Sequence, residues 1–78
     1  MAAKIRWPLG QLIETVPVRD SRLTVSSYRT GRRSGRRLVV RNEHGIICFD
    51  TDECYDLGNA VNAVDLWLQS PEGALALQ

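Results

Sequence analysis

Apolar residues recur at every second position through residues 11–49 and at every third or fourth position after that. Residues 22–30 (RLTVSSYRT) place Leu23 and Val25 on one parity, with Thr24, Ser26 and Tyr28 on the other. Residues 36–41 (RRLVVR) do the same with Leu38 and Val40 against Arg37, Val39 and Arg41. A period of two is what a half-buried strand requires, so Leu23, Val25, Leu38 and Val40 are the expected inward positions. Residues 11–18 (QLIETVPV) share the period imperfectly, and Pro17 removes a ladder donor, which assigns this strand to a sheet edge. Residues 46–49 (IICF) are short and apolar on both parities, as in a strand that is central in the sheet or covered on both faces. The connections between these runs are polar. Asp20-Ser21 suits a tight turn, residues 31–35 (GRRSG) a loop, and residues 42–45 (NEHG) a hairpin turn with Gly45 in the left-handed position.

From Phe49 the period lengthens. Asp50 is placed to cap a helix, Glu53 stands three residues on as a capping-box carboxylate, and Phe49 with Cys54 fits a hydrophobic staple. Cys54, Leu57, Val61, Val64 and Leu68 then form one stripe, widened by Ala60 and Trp67, while Asp52, Asp56, Asn59, Asn62 and Asp65 fall opposite. Ser70-Pro71 ends the run. The expectation is an amphipathic helix of about five turns. The fold class that follows is α+β: a four-stranded antiparallel meander sheet with one C-terminal amphipathic helix packed across one face (ββββα). Residues 1–10 read as an N-terminal arm, residues 11–70 as the single domain, and residues 71–78 as a flexible C-terminal tail.

Composition narrows the class without naming an activity. At 78 residues and 44% apolar, the chain is one small globular domain near the size where a single core is only just sufficient. No apolar run approaches the roughly 20 residues of a membrane helix, and no apolar stretch follows Lys4 and Arg6 as in a secretory signal. A cytoplasmic protein with no membrane partner is expected. Cys48 and Cys54 are the only cysteines, too few for a disulfide scaffold, and read as buried free thiols. The formal charge of +1 hides a division. Residues 1–41 hold all ten basic residues and two acids, whereas residues 42–78 hold seven acids and neither lysine nor arginine.

Two resemblances accompany these patterns. The run GIICFDTDECYDLGNAVNAVDLWL, residues 45–68, is similar to the closing part of many small uncharacterised proteins of actinobacteria and their phages, and the Arg-rich, Lys-poor composition agrees with such an origin. It implies an origin and no activity. The order of four strands followed by a helix resembles the unit of positive-coactivator, Whirly and Pur-type single-stranded nucleic-acid-binding proteins, by topology alone.

Candidate chemistry lies in the basic half. Arg29, Arg32, Arg33, Arg36 and Arg37 form a hairpin cluster, flanked by Arg22 and Arg41, and guanidinium forks suit a phosphate backbone. Tyr28, expected to face outward, would offer a base a stacking surface, and Trp7 beside Pro8 a further contact. The bland alternative is a solvated sheet face whose arginines block edge aggregation. The acidic half permits the same hairpin to meet Asp52, Asp56 and Asp65 of a second copy, which satisfies both surfaces in a two-fold dimer. His44, Cys48, Asp50 and Cys54 follow no zinc spacing, and with one histidine and no nucleophile motif or phosphate loop, neither a metal, a cofactor nor catalysis is expected. A protein-interaction module, as a homodimer or on another protein, is the leading expectation because segregated, balanced charge suits a protein contact. A nucleic-acid-binding module using residues 29–37 is the alternative.

Overall fold

The computed structural model describes residues 10–31 and 33–78. Four strands, β1 (Gln11–Pro17), β2 (Thr24–Arg29), β3 (Arg36–Arg41) and β4 (Ile47–Asp50), are followed by helices α1 (Leu57–Gln69) and α2 (Pro71–Ala76). The strands form one antiparallel sheet in the order β1-β2-β3-β4, so each pairs with its sequence neighbour. The expected α+β architecture, an antiparallel meander with C-terminal helix, is the fold observed.

The inward parity is the one the alternation demands. Val25 pairs with Val40 and Val40 with Phe49, which sets three apolar side chains in a row on one face. Leu38 lies two residues from Val40 on the same face. Ala60 and Val64 of α1 close over them, and Leu23, Leu38, Val40, Ala60 and Val64 make the buried core. Phe49 and Trp67 stack with ring centroids 5.1 Å apart, fixing the C-terminal end of α1 beside β4.

The helix begins later than its sequence period suggests. Asp50 is the last residue of β4 and not an N-cap, and residues 51–56 run as irregular chain before Asp56 caps α1 by accepting the Asn59 N–H. Three contacts hold them there. Cys54 exchanges two backbone hydrogen bonds with Arg36, extending the sheet by one bridge. Thr51 accepts the Leu38 N–H through its hydroxyl and donates its own N–H to the Leu38 carbonyl. Asp50 accepts the Asp52 N–H, closing a turn in which Asp52 takes a φ of 60°. Glu53 is therefore no capping-box partner, although it accepts a hydrogen bond from the Thr30 hydroxyl. The sheet outcompetes the first one and a half turns of the helix.

The C-terminal residues are also ordered. Ser70 ends α1 and caps α2, accepting the Gly73 N–H, with Pro71 at the first helical position. The expected tail is thus a short helix turned back on α1. A Cβ on Gly73 would overlap the Trp67 carbonyl oxygen and stand 2.6 Å from the Leu68 Cα, so only glycine allows this approach. Leu77 and Ala76 pack against the core edge. Cys48 and Cys54 are free and half-buried.

Candidate interaction face and the arginine hairpin

Seven of the candidate contact residues lie among those described, and they separate by face. Arg29 pairs with Arg36 and Tyr28 with Arg37 across β2 and β3, so alternate positions project to opposite sides of the sheet. Arg37 and Arg41 share a side with Tyr28, away from α1. Arg29 and Arg36 stand on the α1 side. Arg32 and Trp7 lie outside the described residues.

On the side away from α1, the cations are engaged within the chain. Arg37 donates from Nε (2.8 Å) and Nη2 to the two carboxylate oxygens of Asp50, its cross-sheet neighbour, with Asp52 a further 3.8 Å contact. The side chains are only 11% and 21% exposed. The Asp50 hydrogen bond raises the Arg37 pKa above the ordinary arginine value, against the opposing effect of burial and with further help from the charges of Asp50, Asp52 and Tyr28. Arg41 donates to Ser26 Oγ at 3.1 Å, and its guanidinium carbon lies 5.9 Å from the centre of the Tyr28 ring. Ser26 also shares a 2.9 Å hydrogen bond with the Thr15 hydroxyl. Tyr28 faces away from α1 as its parity requires, yet it is only 8% exposed, and Val39 on the same side is fully buried. Tyr28 is therefore part of a covered surface and presents no open ring for a base to stack on. Arg22 pairs with Glu43 at 3.0 Å, both at the surface.

On the α1 side the geometry is open. α1 lies over β3 and, through Trp67, over β4, leaving β1 exposed along its whole length and β2 half covered, with Ser27 buried and Val25 packed against the core. Ile13, Val16, Val25 and Leu38 on the sheet and Leu57 and Val61 on α1 line a groove of about 290 Å³, with Glu14, Ser27, Arg29 and Arg36 as its polar rim. Ile13, Val16, Leu57 and Val61 are each more than 40% exposed. Two of the seven residues of the expected helix stripe, Leu57 and Val61, thus face the groove instead of the core. The periodicity found Leu57 and Val61 as apolar-face residues, but a helix placed to one side of a sheet cannot bury its whole stripe. Arg29 forms no ion pair with a described residue, and the Arg36 guanidinium donates to the Gly35 carbonyl.

The edge beside this groove is blunted. The Val18 N–H bonds the Leu23 carbonyl, so by strand alternation Pro17 turns its donorless nitrogen to the open edge. A register shift between Leu12 and Glu14 adds a bulge, and Glu14 adds a charge. These features disfavour addition of a further strand. Among the described residues, no group of three or more His, Cys, Asp and Glu side chains is arranged to hold a metal ion, and no helix is long and apolar enough to cross a membrane. No family model, curated protein or solved structure matches the chain.

Proposed function

We propose that this protein is a small non-enzymatic interaction module whose contact face is the groove between α1 and β1. The partner it suits is a protein surface that is apolar at its centre and acidic at one end. One observation carries this reading: Ile13, Val16, Leu57 and Val61 stand exposed around one concavity, and Arg29 and Arg36 close one end of it. Contiguous exposed apolar surface with a polar rim is the usual mark of a protein contact. The proposal extends to an actinobacterial or actinophage origin, resting on residues 45–68, and to action as a homodimer or on a host protein in the cytoplasm.

The alternative, nucleic-acid binding through the hairpin, has less to draw on. Arg37 is neutralised by Asp50 in a largely buried pair, Arg22 meets Glu43 in an exposed surface contact, and Arg41 and Tyr28 face each other. Of the described arginines singled out, Arg29, Arg33 and Arg36 make no ion pair with a described residue, which is a small footprint for a polyanion.

The test compares the wild-type chain with Val61→Asp by cross-linking in cells of its source and by sedimentation, with anisotropy on fluorescent single- and double-stranded oligonucleotides in parallel. The expected result is cross-links from residues 13–16 and 57–61 that disappear in Val61→Asp. Salt-sensitive oligonucleotide binding that survives Val61→Asp, with no protein cross-link at the groove, would overturn the proposal in favour of the nucleic-acid reading.

A further inference from the structure

Resting on that reading, we infer that the groove receives α1 of a second copy of this chain, so that two molecules pair about a two-fold axis with their α1 helices side by side and antiparallel. Width is the first argument. The exposed strand β1 and the half-covered β2 beside it, at about 4.8 Å per strand, present a floor roughly 10 Å across, which is the diameter of one helix and the spacing of two packed helices. The blunted edge of β1 makes a strand the wrong occupant for this side of the molecule, and a helix the right one.

The second argument is self-complementarity. Leu57 and Val61 line the groove, and Asp65 follows one four-residue step further along the same flank of α1. Arg36 bridges to Cys54 just ahead of α1, and Arg29 pairs with Arg36, so both cations stand at the Leu57 end. The Phe49–Trp67 stack sets the other end beside β4. Along the groove the order is therefore Arg29 and Arg36, Leu57, Val61, Asp65. Antiparallel superposition about a two-fold axis midway between Leu57 and Val61 places the partner's Asp65 beside Arg29 and Arg36 and the partner's Val61 beside Leu57. An isologous contact needs this property, because the same surface must serve both sides. The exposed Leu66, on the solvent side of α1, would come to lie over Ile13 and Val16 of the other copy. Charge agrees: residues 42–78 carry seven acids and no lysine or arginine, so a helix from this half brings no cation against Arg29.

The experiment is sedimentation equilibrium on the full chain, using wild type, Asp65→Arg, Arg29→Asp and an equimolar mixture of the two variants, with circular dichroism to verify folding. The wild type should dimerise, and each single variant should dimerise at least tenfold more weakly, because like charges then face each other. The mixture should recover a dimer between unlike copies. At one contact the introduced arginine meets the introduced aspartate, and at the other the native Asp65 meets the native Arg29. Dimerisation unaffected by either substitution, or a mixture that fails to pair, would overturn the inference. A wild type that stays monomeric up to about 200 μM, an order of magnitude or more above ordinary micromolar self-association, would also overturn it. Groove cross-links to another protein would in that case leave the broader proposal standing. If one variant fails to fold, Val61→Asp with the same readout takes its place, expected monomeric.

Discussion

Replacing Asp50 by Ala should expose how much this small domain depends on one internally neutralised arginine. Asp50 accepts two hydrogen bonds from the Arg37 guanidinium and one from the Asp52 N–H. Hydrogen bonds to charged groups contribute about 1.5–3 kcal/mol each in the favourable case, but they are not additive around one carboxylate. Removing one partner of a fully buried pair costs about 3–5 kcal/mol, chiefly through the charge left behind. Here the side chains are 11% and 21% exposed, so water restores part of the loss. The lower end of that range, about 3 kcal/mol, is the expected cost. A domain of this length is stable by roughly 4–12 kcal/mol in total. The urea midpoint should therefore fall by about 3 M, for a slope near 1 kcal/mol/M.

Urea unfolding of Asp50→Ala, Arg37→Met and the double variant supplies a thermodynamic cycle. Arg37→Met keeps an apolar stem while removing the charge. A coupling of about 2 kcal/mol between the two positions is expected. Asp52→Ala serves as control, because its carboxylate is 86% exposed and 3.8 Å from Arg37, and exposed pairs contribute under about 1 kcal/mol. If both single variants lay within about 0.5 kcal/mol of wild type, the change typical of a surface site, the claim that Arg37 is committed to the fold would fail. Arg37 would then again be available to a phosphate.

Gly73→Ala should detach α2 rather than strain it. The new Cβ would meet backbone atoms of Trp67 and Leu68 at 2.6–2.7 Å and overlap the Trp67 carbonyl oxygen, and backbone cannot give way as a flexible side chain does. The cost is capped by what α2 contributes through Ala76 and Leu77, about 1–3 kcal/mol by the area they cover. Hydrogen exchange should show the Ala74 and Leu77 amides losing protection while β2 and β3 amides keep theirs, and protection retained at Ala74 would refute the reasoning. The raised Arg37 pKa makes a separate statement about pH. A group whose pKa is higher folded than unfolded stabilises fully below the unfolded value and loses that contribution as pH rises through the folded one. Both values lie in the strongly alkaline range, so the stability difference between wild type and Arg37→Met should stay constant from neutral pH to about pH 10. A decline across that interval, followed by urea titration, would contradict the assignment.

The order of elements was legible in the sequence because strand alternation and turn residues are local properties. Leu23, Val25, Leu38 and Val40 needed only their parity to be placed inward, and Pro17 needed only its missing donor to be placed at an edge. Asp50 shows where local reading ends. Its spacing to Glu53 satisfies a capping box as well as Asp56 satisfies the true cap, and nothing in the neighbouring residues says that Arg37, thirteen positions earlier, claims its carboxylate. The same holds for Tyr28, whose parity was legible while its burial and its approach to Arg41 were not.

The groove is a tertiary outcome as well. Sequence makes Leu57 and Val61 apolar members of a helical stripe, but whether a stripe is buried depends on where the helix lands on the sheet. Two backbone bonds between Cys54 and Arg36 and the Phe49–Trp67 stack hold α1 over β3 and β4. One helix is too narrow to roof four strands, so Ile13 and Val16 of β1 stay exposed beside it, with two arginines at the end of the groove. Periodicity reports which residues want burial, and only the placement of the helix determines which of them obtain it within their own chain.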